Sequence, residues 1–265
     1  MTELAALVDF AHRLADAARR ETIPRFRTAL AVDNKIAADF DPVTDADREA
    51  ERAIRALIEA EQPEHGILGE EFGIHQPEAA HRWVLDPVDG TRSFICGAPT
   101  WTTLIALERD REPVLGIIDQ PYIGERWCGV PGRTTVTHGG STRVAKASGC
   151  TSLADARIST TDPREAAYFS ATEATLFARV AEACKLARFS MDAYAYALLA
   201  IGQLDLIVES GLAHYDYAAL APVVRGAGGV ITNWTGGSFD ADAGGSLVAA
   251  ATPELHAQAL EMLAG

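Results

Sequence analysis

The stretch WVLDPVDGTRSF, residues 83–94, ends an apolar run with two aspartates and then turns on a glycine. Its first three residues are typical of the apolar end of a buried strand. Asp86 and Asp89 follow, and Pro87 between them makes the loop rigid, so both carboxylates are expected to face one point. Gly90 then permits close approach of the backbone to a ligand. The stretch therefore predicts a strand that delivers two acids and a turn to one site.

The segments around this stretch alternate between strand and helix patterns. Apolar residues recur at helical spacing in residues 3–20 and 44–60, whereas the β-rich runs that follow the stretch predict successive strands. Strand runs followed by helices predict stacked sheet and helix layers, an α/β (α+β) sandwich. The predicted strands after the stretch are 102–107, 113–119 and 125–130. In the second half, strands are predicted at 156–160, 204–210, 228–234 and 245–252, and helices at 172–185, 192–203, 217–226 and 253–263.

The length of 265 residues suits one catalytic unit with two lobes. Gly139, Gly140 and Ser141 punctuate the chain, and the boundary is placed there. An N-terminal lobe of residues 1–140 would hold metal and phosphate, and a C-terminal lobe would comprise residues 141–265.

Composition excludes several classes of protein. The formal net charge of -14, from 37 acidic and 23 basic residues, argues against nucleic acid as a partner. A small phosphate substrate is still possible where metal ions mask the acids. No apolar run reaches about 18 residues, so no membrane span is expected. The 4 cysteines are not at metal-ligand spacing, which favours reduced thiols and a cytoplasmic location.

Carboxylates also stand at the ends of other apolar runs. Glu70 follows a short strand pattern, Glu209 ends a buried one, and Asp216 precedes a helix. Carboxylates held together raise one another's pKa unless a cation lies among them, and Mg²⁺ prefers such oxygen ligands. Gly90 and Thr91, at the start of the next element, suit a phosphate group. The sequence therefore predicts metal ligands followed directly by a phosphate contact.

Each of these signals also has a simpler explanation. Thr44-x-x-Asp47 is a helix capping box with Asp in place of Glu. Asp216 and Asp192 each stand at the start of a predicted helix, and helix capping alone would explain them. An Asp-x-x-Asp-Gly segment is often a turn. Of the histidines, only His214 stands near these acids in the chain, and a surface position is expected for it.

The order of these motifs resembles one known family. The chain has Thr-x-x-Asp, then Gly-Glu-Glu, then Asp-Pro-Val-Asp-Gly-Thr, then Tyr-Asp-x-Ala-Ala. In this it resembles the inositol monophosphatase family of Mg²⁺-dependent, lithium-sensitive phosphatases over nearly its whole length. The resemblance implies an αβαβα sandwich of the sugar-phosphatase type, two or three Mg²⁺ per active site, and a homodimer.

The resemblance also implies roles for particular residues. The implied metal ligands are Glu70, Asp86, the backbone carbonyl of Val88, Asp89 and Asp216. The residues implied in catalysis are Thr91, Asp47 and Glu70, of which Thr91 and Asp47 would orient and deprotonate the attacking water. The backbone N–H groups of Gly90 and Thr91 would bind the phosphate.

Within the family, the chain resembles the histidinol-phosphate phosphatase branch more than the inositol branch. The signals are DGTRSF, the pair Met191-Asp192, and Tyr215 before Asp216. The resemblance implies that Glu209 contacts the organic part of the substrate. Asp192 is the second expected contact, and two acids suit histidinol because it carries an ammonium group and an imidazole. The expected activity is hydrolysis of L-histidinol phosphate, a small-molecule phosphate monoester. The alternative substrates are inositol 1-phosphate and a broader range of sugar or polyol phosphates.

Two further classes of protein fit the sequence less well. A haloacid-dehalogenase-type phosphatase needs Asp-x-Asp-Gly-Thr, and Pro87 stands where its nucleophile would be, so no aspartyl-phosphate intermediate is expected. A non-catalytic module that binds a phosphometabolite is disfavoured, because every expected ligand and both members of the water-activating pair are present.

Overall fold

The computed structural model describes residues 3–29, 32–34, 42–165, 167–238 and 245–265. The α-helices in these ranges are α1 (Glu3–Thr22), α2 (Asp45–Glu61), α3 (Thr91–Cys96), α4 (Ala171–Ala183), α5 (Tyr194–Ala200), α6 (His214–Tyr217), α7 (Leu220–Gly226) and α8 (Pro253–Leu263). The strands are β1 (Val32–Asn34), β2 (Pro42–Thr44), β3 (Gly66–Gly69), β4 (Gly73–His75), β5 (His81–Asp89), β6 (Thr102–Arg109), β7 (Glu112–Gln120), β8 (Glu125–Val130), β9 (Arg133–His138), β10 (Ser141–Val144), β11 (Arg157–Thr160), β12 (Leu186–Phe189), β13 (Leu206–Glu209), β14 (Val230–Thr232) and β15 (Leu247–Ala250). Among these helices, none has the length and apolar character needed to cross a membrane.

A large sheet of eight strands has the order β10-β9-β8-β7-β6-β5-β3-β4. β3 runs parallel to β5, and the other neighbouring pairs are antiparallel. Successive side chains of β5 point to opposite faces of the sheet. Trp83 and Leu85 pack with α1 and α2 on one face, whereas Val84 joins the core on the other. Both faces are covered, which explains the continuous apolar run before the two aspartates.

Helices α1 and α2 cover the first face of the large sheet. Leu14 of α1 and Ile54 and Ile58 of α2 are fully buried in the same cluster as Trp83. Helix α2 begins after Thr44, whose side chain accepts the N–H of Ala46. The helices predicted at 3–20 and 44–60 are therefore confirmed with nearly the same limits.

A second sheet, of five strands in the order β12-β11-β13-β15-β14, forms in the later part of the chain. One face packs against α4 and α8, in a cluster that includes Phe177, Leu206 and Leu255. The other face shares a core with α5, α7 and the large sheet, where Tyr196 and Ile207 lie. Helices α5 and α7 therefore lie between the two sheets. The resulting layer order is αβαβα, and the predicted layered fold is confirmed.

Two local predictions need correction. Gly139 and Gly140 form the turn of the β9–β10 hairpin, so the boundary predicted there lies inside the large sheet. The change from one sheet to the other comes later, between Val144 and Arg157. The helix predicted at 217–226 begins later, as α7 at Leu220, and Tyr217 is the last residue of the separate helix α6. The division of labour between two lobes stays a prediction.

Helix α7 lies close to the large sheet because two glycines face it. A Cβ at Gly116 would lie 2.1 Å from the carbonyl oxygen of Ala219. A Cβ at Gly129 would lie 2.4 Å from the amide nitrogen of Val223. Helix α6 directly precedes α7, so this close contact also determines where Asp216 of α6 lies.

We predict that Gly129→Ala lowers the free energy of unfolding by about 1–3 kcal/mol, because the added methyl group must displace the backbone of α7. Urea unfolding followed by circular dichroism measures this change. Gly149→Ala is the matched control, since a Cβ there meets no atom within 4 Å and the residue is exposed. The control should change stability by less than about 0.5 kcal/mol. Equal stability of the two variants would contradict the close packing of α7.

Candidate active site

The end of β5 is irregular, and this irregularity brings two aspartates to one place. β5 pairs with β6 in register up to Asp86, and the register shifts before Asp89. Pro87 lies in the interruption, where its carbonyl oxygen accepts a 2.8 Å hydrogen bond from Thr103 Oγ1. The N–H of Val88 donates to Asp86 Oδ1 at 3.1 Å. In a regular strand, residues three apart would point to opposite faces, so this bulge lets both carboxylates face one cavity.

A third carboxylate joins them from the second half of the chain. Asp86, Asp89 and Asp216 each offer one carboxylate oxygen, and these atoms all lie within 4.8 Å of one another. Asp216 Oδ2 also accepts the N–H of Ala213 at 2.7 Å, so the residue caps α6 as well. Three hard oxygen donors at this separation suit a divalent cation such as Mg²⁺.

Burial and mutual repulsion act on the acids of β5. Loss of water raises the pKa of Asp86 well above its usual range, and Glu70, Asp89 and Asp216 raise it further. The pKa of Asp89 is raised in the same way, first by burial and then by Asp192. A cation would offset the repulsion and replace the lost solvation. The donor set therefore fits a bound divalent cation.

A contact between half-buried His214 and buried Glu108 holds the short helix α6. His214 Nε2 hydrogen-bonds Glu108 Oε1, and His214 Nδ1 lies 3.0 Å from the hydroxyl of Tyr217. Glu108 is buried, and its other oxygen accepts a 2.8 Å bond from Arg82 Nε. The surface position expected for His214 is wrong, because a buried carboxylate needs partners and His214 is one of them.

Thr91 and Asp47 come together from distant parts of the chain. Thr91 Oγ1 lies 3.2 Å from Asp47 Oδ1 and 3.1 Å from the carbonyl oxygen of Val88. Asp47 Oδ2 accepts the N–H of Thr44 at 2.9 Å and its hydroxyl at 2.6 Å, which completes the capping box. Burial raises the pKa of Asp47 to about 6, against the hydrogen bonds from Thr44. One carboxylate therefore caps a helix and also contacts the threonine of the site.

Glu70 lies beside this pair and beside the β5 acids. Its N–H donates to the carbonyl of Leu85 at 3.1 Å, which extends the parallel pairing of β3 with β5. Glu70 does not belong to the cluster of Asp86, Asp89 and Asp216, but its charge raises the pKa of both Asp86 and Asp47.

A cavity of about 420 Å³ opens over these residues. Gly90 forms part of its wall with a left-handed φ of 81°, and a Cβ there would lie 2.7 Å from Asp192 Oδ2. Only glycine suits both conditions, and the backbone at Gly90 and Thr91 is thereby left open to close approach. Of the residues predicted for the site, those that line the cavity are Glu70, Asp86, Val88, Asp89, Gly90, Thr91, Asp192, Glu209 and Asp216.

The two expected substrate contacts occupy different environments. Asp192 Oδ2 accepts the hydroxyl of Ser93 at 2.7 Å, and helix α5 has no side-chain cap, so Asp192 does not serve as one. Glu209 is buried at the end of β13. Its carboxylate accepts the hydroxyls of Thr161 at 2.5 Å and Tyr196 at 2.7 Å. Burial raises the pKa of both acids.

Sequence reasoning missed one part of the cavity wall. The guanidinium of Arg92 lies 5.1 Å from the ring centre of Tyr168, and both residues line the cavity. The charge of Arg92 contributes, after Arg164, to lowering the pKa of Asp162 in the segment before α4. Arg92 stands in the quoted stretch, but no pattern in the sequence pairs it with a tyrosine so far along the chain.

Comparison with known proteins identifies the family. The family model described as "Inositol monophosphatase family" matches residues 3–264. The chain therefore belongs to the inositol monophosphatase family, whose members are phosphatases of small phosphate monoesters and are generally metal-dependent.

Individual relatives support this assignment over most of the chain. The chain is 43% identical to the chloroplastic bifunctional phosphatase IMPL2 of Arabidopsis thaliana, covering 99% of this chain and 76% of the relative. It is 34% identical to a histidinol-phosphatase of Streptomyces coelicolor, covering 85% and 86% of the two chains. A solved structure of an inositol monophosphatase from Zymomonas mobilis superposes with a TM-score of 0.88 at 41% identity, covering 100% of both chains.

We predict that Asp86→Asn stabilises the metal-free protein. Because the raised pKa means that the folded state holds the proton more tightly, the unfolding free energy of the wild type in EDTA should fall as the pH rises above about 4. Asn keeps an acceptor for the N–H of Val88 but carries no charge. At neutral pH the variant should therefore gain on the order of 1 kcal/mol in urea unfolding.

Mg²⁺ provides the second half of this test. It should raise the melting temperature of the wild type and of an exposed control, Asp155→Asn, but not that of Asp86→Asn. An Asp86→Asn protein that is less stable in EDTA and still responds to Mg²⁺ like the wild type would show that Asp86 is structural.

Proposed function

We propose that the protein is a Mg²⁺-dependent phosphomonoesterase that hydrolyses L-histidinol phosphate to L-histidinol and phosphate, a step of histidine biosynthesis. The observation that carries this proposal is the convergence of Asp86, Asp89 and Asp216 next to the hydrogen-bonded Thr91 and Asp47. Carboxylates at such separation are unfavourable by themselves and suit a cation-assisted reaction of a phosphate ester.

Two or three Mg²⁺ ions would be held by oxygen donors of β5 and its neighbours. When bound, their charge would screen the acids from the phosphate oxygens and stabilise the leaving oxygen. The proposed ligands are Glu70, Asp86, the backbone carbonyl of Val88, Asp89 and Asp216. The N–H groups of Gly90 and Thr91 would hold the phosphate, because the left-handed turn at Gly90 leaves the backbone accessible.

Thr91 and Asp47 would activate the attacking water. Ionised Asp47 accepts a hydrogen bond from the Thr91 hydroxyl, which leaves a lone pair of Oγ1 free to face the water. As Oγ1 takes a proton from the water, the hydroxyl proton of Thr91 would pass to Asp47. The pKa of Asp47, about 6, keeps this carboxylate ionised at neutral pH. Glu70 is the neighbouring acid that we include in the catalytic set. Pro87 stands where an aspartate nucleophile would be needed, so we propose direct attack by water.

The negative charge in the cavity wall supports histidinol phosphate as the substrate. Asp192 and Glu209 line this region, and a substrate with an ammonium group and an imidazole suits them better than a neutral polyol does. The carboxylate of Glu209 already accepts Thr161 and Tyr196, so we assign the direct contact to Asp192. The similarity to a histidinol-phosphatase over 85% of the chain supports this choice.

Inositol 1-phosphate is the second candidate substrate, within a broader range of sugar and polyol phosphates. The superposition on an inositol monophosphatase with a TM-score of 0.88 favours it. A homodimer and a cytoplasmic location stay predictions. A non-catalytic binding module stays the remote alternative, and substrate binding without turnover in saturating Mg²⁺ would support it.

We predict that phosphate release is Mg²⁺-dependent and fastest with L-histidinol phosphate. The panel to be compared is L-histidinol phosphate, inositol 1-phosphate, fructose 1,6-bisphosphate and glycerol 2-phosphate. Asp192→Asn should lower kcat/KM for histidinol phosphate about 10- to 100-fold, because a charged hydrogen bond is lost, and should affect glycerol 2-phosphate much less. Asp155→Asn is the exposed control. Equal or faster turnover of inositol 1-phosphate would overturn the substrate assignment.

We predict that Thr91→Ala lowers kcat by about 10²- to 10⁴-fold, because the water loses its proton acceptor in the transition state. KM for the phosphate ester should change far less, since the backbone N–H groups remain. Steady-state kinetics in saturating Mg²⁺ measures both constants. A change confined to KM would contradict the role in water activation.

A further inference from the structure

Glu51 is a buried carboxylate whose backbone partners are in the turn that carries Glu70. It is 0% exposed on the inner face of α2. Its Oε2 accepts the N–H of Glu71 at 2.8 Å, and its Oε1 accepts the N–H of Phe72 at 3.2 Å. Arg55, one helical turn further along, donates Nε to Oε1 at 2.7 Å. Two successive backbone N–H groups and a guanidinium therefore satisfy the carboxylate.

The end of strand β3 is shaped to admit this carboxylate. A Cβ at Gly69 would lie 1.9 Å from Glu51 Oε1, so a larger residue would push the carboxylate away. Gly69 is paired with Leu85 of β5, and the next N–H, that of Glu70, donates to the carbonyl of Leu85 at 3.1 Å. The turn that bears Glu70 is therefore held on one side by the sheet and on the other by α2.

The same face of α2 also serves the water-activating pair. Asp47 lies one turn before Glu51, and residues at this spacing share a helix face. Asp47 contacts Thr91, whereas Glu51 contacts the turn of Glu70. Packing alone does not require a charge at position 51, because a buried ion pair seldom stabilises more than apolar residues of similar volume. Its neighbour Ile54 is such an apolar residue.

We propose that Glu51 is a positioning residue, which fixes Glu70 relative to the Thr91–Asp47 pair through one rigid helix. The inference rests on the proposed function, in which Glu70 is a metal ligand. If it holds, disturbing Glu51 must displace Glu70 and weaken Mg²⁺ binding. A residue that only stabilises α2 would lower the melting temperature and leave Mg²⁺ affinity unchanged.

The test is Glu51→Gln in the full-length protein. Gln has nearly the same size, but its NH₂ group cannot accept the N–H of Glu71 or Phe72, so the turn must shift. We expect the dissociation constant for Mg²⁺, measured by isothermal titration calorimetry, to rise about 10- to 100-fold, as is typical for groups that hold a metal ligand. The Mg²⁺ concentration for half-maximal phosphate release should rise in parallel, while the circular dichroism spectrum stays that of the wild type.

Two variants on the same helix are the controls. Ile58→Val lowers the melting temperature through lost packing in the core beneath α2, and it should leave Mg²⁺ affinity at the wild-type value. Glu59→Gln removes an exposed charge and should change neither property. A Glu51→Gln protein that binds Mg²⁺ like the wild type, or no worse than Ile58→Val, would overturn the positioning role.

Gly69→Ala reaches the same contact from the strand side and decides the question if Glu51→Gln does not fold. Its methyl group must displace the Glu51 carboxylate, so it should also raise the dissociation constant for Mg²⁺, and wild-type affinity would count against the inference. Asp86→Asn distinguishes failure of the proposed metal site from failure of the positioning role of Glu51. If that variant retains wild-type Mg²⁺ affinity, the proposed metal site fails and the role of Glu51 fails with it. If the Glu51 and Gly69 variants retain wild-type Mg²⁺ affinity and Asp86→Asn loses it, the positioning role fails and the proposed metal site stands.

Discussion

The mutual repulsion of three carboxylates at the end of β5 is the constraint on which the rest of the structure depends. Asp86, Asp89 and Asp216 offer oxygens within 4.8 Å of one another, and burial raises the pKa of Asp86 and Asp89. Such a group opposes folding unless a cation or a proton joins it. The large sheet, with both faces covered, supplies a rigid frame in which this unfavourable arrangement persists. We interpret the arrangement as a site built for divalent cations.

Three features of the fold bring the acids of the site together from separate parts of the chain. The bulge at Pro87 turns two aspartates of one strand toward the same cavity. The glycines beneath α7, with the contact between His214 and Glu108, place α6 and therefore Asp216. Helix α2 presents Asp47 toward Thr91 on the face that also holds the turn of Glu70. Each of these features stabilises the fold and also positions an acid of the site, so a mutation in one of them is expected to affect both folding stability and metal binding.

Much of the fold and most of the site acids could be predicted from the sequence. Helix α8 has the limits predicted from apolar spacing. Glu70, Asp86 and Glu209 were predicted because they follow apolar runs, whereas Asp47 and Asp192 were predicted from the resemblance to the family. Local patterns do not show which distant side chains meet, so the contacts of Glu51, the stacking of Arg92 on Tyr168, and the contact of His214 with Glu108 were not predicted. A hairpin turn and a lobe boundary have the same glycine signal, which explains the misplaced boundary. The capping box at Asp47 was predicted as an alternative to the site, and the structure contains both.

The most direct measurement is an anomalous difference map from crystals of the protein soaked in Mn²⁺, a stand-in for Mg²⁺ with a measurable anomalous signal. Our account predicts at least one peak coordinated by oxygens of Asp86, Asp89 and Asp216, next to the wall formed by Gly90. Mn²⁺ bound only at other places, with these three carboxylates turned away from one another, would contradict it.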